Sequence, residues 1–217
     1  MPADAARAAI RDTVGEPHEV AARKKIDHLD AHCRDFIALS PFLALATVDA
    51  AGDADCSPRG DPPGFVRVLD ERTLVIPDRP GNRLVDSFLN LTERPGVGLL
   101  FLIPGFAETL RVNGRGFVVD DPELLATMAI DGKVPKLGLG VRVDEAFIQC
   151  GRAANRARLW DSEARQDRSA LPTIGRILKD HGSINARSAD TPEPSEWDAD
   201  AIDEASREAY EKLYDEP

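Results

Sequence analysis

Residues 53–61 read D-A-D-C-S-P-R-G-D, residues 64–70 G-F-V-R-V-L-D, residues 74–77 L-V-I-P and residues 78–88 D-R-P-G-N-R-L-V-D-S-F. Arg59 sits between a proline and a glycine in a short polar segment of β character. Arg79, Asn82 and Arg83 crowd a Pro-Gly corner that is expected to open a helix. Two cationic corners joined by a hairpin make a phosphate clamp. Arginine's planar fork matches phosphate oxygens, and the unpaired N–H groups of a helix start add to it. The competing reading is that these arginines pair on the surface with the chain's many acids.

Working outward, strands are expected at Phe42–Val48, Ala54–Ser57, Phe65–Leu69, Thr73–Pro77, Val97–Ile103, Thr109–Val119 and Val141–Cys150, separated by turn residues. Mixed three- and four-residue spacing predicts one helix over His18–Leu39, and another over Asn82–Thr92 with Asn82 as its N-cap. Residues 1–16 read as a loosely held arm and residues 133–140 as loop. A short helix follows Asp121-Pro122, a turn and helix span Cys150–Trp160, and another helix spans Leu171–His181. Residues 188–194 read as a polar linker, and Ala199–Tyr214 as an acidic helical tail. Hairpins rather than βαβ units connect the strands, which argues against a doubly wound sheet. The expected class is mainly β (α+β), a small antiparallel barrel with peripheral helices.

The 217 residues carry a formal net charge of −11 and a pI of about 4.9, which speaks against a general nucleic-acid binder. An acidic chain that binds a phosphate must place its arginines for the purpose. No apolar run approaches the ~18 residues of a membrane helix, and the first residues lack the apolar core of a signal peptide. Three widely spaced cysteines argue for reduced thiols and a cytoplasmic location.

His28 and His32 lie four apart beside Cys33, with no third metal ligand in sight, so solvated or capping roles are preferred. Cys150-Gly151-Arg152 places a thiol near a helix start, against the plainer reading of a buried, inert cysteine. Cys56, next to the clamp, is equally ambiguous. Trp160 is either a stacking wall for a ring or a helix anchor. The glycines of residues 112–116, V-N-G-R-G, match neither nucleotide-loop spacing, and no G-x-S-x-G elbow occurs.

Taken in order, S-P-F-L-A-L-A-T-V-D-A-A-G-D-A-D-C-S-P-R-G-D, T-L-V-I-P-D-R-P-G-N-R, G-V-G-L-L-F-L-I-P-G and E-T-L-R-V-N-G-R-G resemble the pyridoxamine 5′-phosphate oxidase-like, FMN-binding split-barrel superfamily. The likeness is strongest to its FMN-dependent branch of unassigned substrates. It covers residues 35–162, leaving 1–34 as an N-terminal arm and helix and 163–217 as a C-terminal helical segment and tail. The resemblance implies a six-stranded antiparallel split β-barrel, a homodimer, and FMN held between subunits. Position by position it implies Ser57 and Arg59 along the flavin, and Ile76, Pro77 and Asp78 with backbone against the ring. It further implies Asn82 and Arg83 on the phosphate, and Thr109 reaching the partner subunit's FMN. Leu84 stands where pyridoxamine phosphate oxidases carry lysine, and their C-terminal Arg/His substrate motif is absent.

The function implied is hydride transfer at flavin N5 on a small-molecule substrate, with no catalytic residue dictated. Two alternatives are a flavin- or haem-binding module without turnover and a deazaflavin-dependent reductase, the latter drawing on Lys133 or Lys136. No nucleic acid, membrane or metal is expected.

Overall fold

Leu43, Leu45 and Thr47 alternate with more exposed neighbours along Phe42–Val48 and point into the core, as a half-buried strand requires. The computed structural model describes residues 2–185 and 197–214, so the linker expected at 188–194 lies outside the described residues. In chain order the elements are α1 (Ala3–Val14), α2 (Glu19–Arg23), α3 (Ala31–Leu39), β1 (Phe42–Val48), β2 (Ala54–Gly60), β3 (Arg67–Asp70), β4 (Thr73–Pro77) and α4 (Asp86–Glu93). Then follow β5 (Gly96–Leu102), β6 (Thr109–Val119), α5 (Pro122–Ala126), β7 (Gly138–Gln149), α6 (Arg152–Arg156), α7 (Ile174–Asn185) and α8 (Ala199–Glu211).

The seven strands form one antiparallel sheet in the order β2-β1-β5-β6-β7-β4-β3. This mixed α+β sheet corrects the expected six-stranded barrel: it has a seventh strand and is not hydrogen-bonded shut. Both edges resist pairing. β2 carries Pro58, which has no N–H to offer, and β3 is four residues long with a register shift between Val68 and Asp70. The main core cluster includes Leu29, Leu43, Leu74, Phe101, Leu110, Val112 and Val141, all fully buried, and a smaller cluster gathers Val75, Val119 and Met128. Each such aliphatic or aromatic side chain contributes roughly 1.5–3 kcal/mol on burial.

Three further expectations are corrected. The helix expected over His18–Leu39 is broken, because residues around Ile26 are extended and pair with β7. Ile26 N–H donates to Ala146 O at 3.0 Å, and Ala146 N–H donates back to Ile26 O at 2.7 Å. Asp30 then starts α3 afresh, its side chain accepting from Cys33 N at 2.8 Å. The arm at the N-terminus is helical over Ala3–Val14, although none of that helix is buried. The loop expected through residues 138–140 is strand, paired with both β4 and β6. There Gly140 leaves room for the Phe117 ring, which a Cβ would meet at 2.3 Å.

β7 carries one extra residue, Asp144, opposite Asn113/Gly114, where the register shifts, and a Cβ on Gly114 would lie 2.1 Å from Arg142 O. α4 packs on β1 and β6 and touches β2, which brings its first turn to the open edge of the sheet. α7 and α8 pack against each other, tied by Gly175 N–H donating to Asp203 Oδ1 at 2.7 Å. Among the described residues no helix is long and apolar enough to cross a membrane.

Candidate functional site

Strand periodicity places Asp55, Ser57 and Arg59 on one face of β2 and leaves Cys56 exposed on the other. That face meets the first turn of α4. Ser87 is buried there and its hydroxyl lies 3.2 Å from Ser57 Oγ. Ser87 Oγ accepts from Arg59 Nη2 at 3.2 Å and donates to Asp55 Oδ2 at 3.4 Å. The chain continues inward: buried Thr47 donates to the same Asp55 oxygen at 3.2 Å and accepts from Asn90 Nδ2 at 3.0 Å. A strand edge and a helix start are thus joined by one satisfied polar network, which holds Arg59 in place.

The connection from β4 to α4 supplies the opposite wall. Helix α4 begins at Asp86, four residues later than expected, and Asn82 is not its N-cap. Asn82 Oδ1 instead accepts from Leu84 N at 3.1 Å, forming a local turn. Arg83 and Val85 both have left-handed backbones, φ 60° and 52°, so the chain corkscrews into α4 rather than entering it smoothly. For β-branched Val85 this is a strained conformation, of the kind that persists where surrounding structure imposes it.

Two adjoining cavities result. A groove of 430 Å³ lies between β2 and the 77–87 segment, lined by Ser57, Arg59, Pro77, Asp78 and Asn82 among others. A chamber of 840 Å³ shares Arg59 and the Asp78–Asn82 turn with it. Arg59, Asp78, Asn82 and Arg83 line it together with Lys133 and Lys136. The structure therefore brings six of the eight expected site residues to these cavities. It does not bring the other two. The Ile76 side chain is in the core, 1% exposed, and its backbone pairs with Leu139. Thr109 starts β6 opposite Gln149 and lines neither cavity.

Among the described residues, Asp78 is the one carboxylate lining the chamber. Burial pushes its carboxyl above the usual range, while Arg59 and Arg79 pull the other way. Arg79 has a different role from the clamp arginines. Its Nε donates to Asp61 Oδ2 at 2.6 Å and its Nη2 to Met128 O at 2.9 Å, with the Asp61 side chain only 1% exposed. Asp61 is shared with Tyr214, whose hydroxyl donates to Oδ1 at 2.6 Å. That ion pair fixes the turn between groove and chamber.

The remaining candidates are settled by placement. Cys33 is buried in the core, and desolvation pushes its thiol up to about 12. His28 Nδ1 faces Asp27 at 3.0 Å, and among the described residues no group of three or more acids, histidines and cysteines could hold a metal. Cys150 is exposed, correcting the buried reading. The Arg152 backbone N–H holds its thiol below the ordinary value. Trp160 is an anchor, its indole N–H donating to Phe106 O at 2.6 Å. Sequence reasoning missed Asp55, Ser87, Asp61 and Tyr214. For Asp55 the strand alternation carried the signal; for Tyr214, 153 residues from its partner, no local signal exists.

Residues 29–150, more than half of the chain, match the family model described as pyridoxamine 5′-phosphate oxidase. The chain belongs to the pyridoxamine 5′-phosphate oxidase family. That stretch takes in the groove, the chamber's cationic residues and the whole sheet, and leaves α7, α8 and Tyr214 outside. Among solved structures, a pyridoxamine 5′-phosphate oxidase homologue from Lactobacillus delbrueckii is 19% identical, over 56% of this chain and 99% of that one, with a TM-score of 0.43. An FMN-binding protein from Syntrophomonas wolfei is 12% identical over 53% and 86%, TM-score 0.40. HutZ, the heme storage protein from Vibrio cholerae, is 17% identical over 56% and 94%, TM-score 0.41. No curated protein matches the chain.

Proposed function

We propose that this member of the pyridoxamine 5′-phosphate oxidase family is an FMN-binding oxidoreductase, acting as a homodimer on a small-molecule substrate. The observation that carries the reading is the meeting of two cationic corners: Arg59 from β2 and Arg83 from the turn before α4 line the same chamber. The donor set suits a phosphorylated flavin. Arginine forks and the Asn82 amide serve the phosphate, and Ser57, Pro77 and Asp78 line the adjoining groove that would take the rest. FMN, when bound, supplies hydride transfer at N5.

This chain's residues have supporting tasks. The network from Asn90 through Thr47, Asp55 and Ser87 holds Arg59 against a rigid strand edge. The buried Arg79–Asp61 pair keeps the Asp78–Asn82 turn in place, so the anion site is formed before the ligand arrives. Asp78 tunes the field: ionised, it weakens the pull of the neighbouring Arg59 and Arg79 on an anion, and protonation relieves that effect. Thr109 acts, in this reading, from the second subunit. Cytoplasmic location fits the reduced cysteines.

A second reading has its own observation. Lys133 and Lys136 line the chamber with the two arginines, which favours a deazaflavin with a longer, more anionic tail. The test is direct. Purified protein should be yellow or should take up FMN with the red-shifted, structured absorption of a bound flavin. A colourless protein that ignores FMN but takes up the deazaflavin selects the second reading, and a haem spectrum on purification overturns both.

A further inference from the structure

Two surfaces outside the family-like residues 29–150 match each other. The first is the side of the α7–α8 hairpin where a groove of 520 Å³ is lined by Leu178, Trp197, Asp198, Ala201, Ile202 and Ala205. Leu178 and Trp197 are 40% and 46% exposed, so two packed helices leave apolar surface in water that a third helix would cover. Glu204 and Glu208 come next round α8 from Ala201 and Ala205 and form the outer rim of the groove. The helix as a whole is acidic, with Asp200, Asp203, Glu204, Glu208 and Glu211 against Arg207.

The second surface is α1. None of its residues is buried, and Ile10 and Val14 are 60% and 76% exposed. At about 100° per residue, Ala3, Ala6, Ile10 and Val14 share one stripe. Arg7 and Arg11 border that stripe, while Asp4 and Asp12 lie farther round the helix. Arg11 Nη1 also donates to Gly15 O at 3.2 Å, at the helix end. Spacing then sets a register. Arg7 and Arg11 are four apart, as are Glu204 and Glu208. Laid antiparallel, with Arg7 against Glu208 and Arg11 against Glu204, the helices bring Ile10 opposite Ala205 and Val14 opposite Ala201. Large side chains meet small ones along the groove while both charge pairs stay on its rim. A parallel arrangement that pairs Arg7 with Glu204 sets Ile10 against Arg207 and loses the fit.

We propose that the α7–α8 groove is the docking surface for helix α1 of a second copy of this chain, bound antiparallel to α8. Each copy gives its α1 and receives the other's, which closes the exchange between two chains. Each chain folds without the contact, because α1 is unburied within it. None of the groove's lining residues lines the two cavities beside Arg59, so the docking holds whether or not the protein binds a flavin.

The test traps the contact in the full chain. Cys56→Ser and Cys150→Ser remove the exposed thiols and leave the buried Cys33. Ile10→Cys and Ala205→Cys are then introduced together, both at exposed positions, and circular dichroism checks that every variant is folded. Under mild oxidation the expected product is a covalent dimer on a non-reducing gel, in which peptide mapping finds the two introduced thiols joined. Moving the first thiol to the opposite face of α1, with Ala8→Cys in place of Ile10→Cys, should abolish that link. Glu204→Arg with Glu208→Arg should lower its yield about tenfold, because like charges then face each other on the rim. Adding Arg7→Glu with Arg11→Glu should restore it. The proposal is overturned if no link forms, if the link forms within one chain, or if Ala8→Cys serves as well as Ile10→Cys. It is equally overturned if the charge reversal has no effect or is not rescued by its counterpart.

Discussion

Arg59 and Arg83 reach one chamber by different physical routes, and the contrast decides what each substitution should do. Arg59 is held by the hydroxyl of buried Ser87, so its geometry depends on the network beneath it. Replacing Ser87 with alanine leaves the Asp55 carboxylate short of a partner and should cost about 1–2 kcal/mol in chemical denaturation, with weaker FMN uptake alongside. Arg79 is different again. Removing it strands a nearly fully buried carboxylate at Asp61, so Arg79→Ala should destabilise the protein by roughly 3–5 kcal/mol. Asp78 brings a pH dependence whose sign follows from its raised carboxyl. Ionising it costs more in the folded protein than in the unfolded chain. Its contribution to stability is therefore greatest below the ordinary carboxylate range and is lost as pH rises through the raised value. Anion affinity should fall over the same interval, and Asp78→Asn should flatten that profile in FMN titrations at graded pH.

At the scale of elements, period-two alternation was the dependable guide. It marked the strands, although the strand expected at Ala54–Ser57 stops short of Arg59, which shares one face of β2 with Asp55 and Ser57. It failed where pairing rather than pattern decides. Ile26 has a helical spacing to its neighbours but gives its backbone to Ala146, and α4 starts later than the pattern predicts because Arg83 and Val85 adopt left-handed backbones that their side chains do not favour. Gly114 sits opposite the β7 bulge and in close approach to its backbone. Gly114→Ala would drive a Cβ against Arg142 O, so it should cost about 2–3 kcal/mol or prevent the β6–β7 pairing, as read by thermal unfolding. Helix α1 gives the opposite expectation. None of it is buried, so deleting residues 1–17 should change the unfolding free energy by less than the ~0.5 kcal/mol of an ordinary surface substitution.

At the scale of the whole molecule, the open sheet and the site are one feature. The edge that β2 leaves unpaired is the edge along which the groove runs, and the turn after β4 forms its other wall. Order of motifs along the sequence was enough to read this much, because the strand, corner and helix that build the cationic site lie within thirty-odd residues of one another. What the sequence could not show is supplied over long separations. The buried Asp61 is reached by a tyrosine 153 residues away, and Thr109 stands apart from the groove in a single chain. A second subunit is what would bring Thr109 to a flavin, so the homodimer is integral to the proposed function rather than an addition to it. The most direct test of the central claim is FMN titration, followed by absorbance, of the unaltered protein beside Arg83→Glu, with circular dichroism to confirm that both are folded. The account predicts saturable uptake by the unaltered protein and an affinity reduced by about tenfold or more in the variant, the worth of a lost charge-assisted phosphate contact. Equal FMN affinity in the two proteins, or none in either, would contradict it.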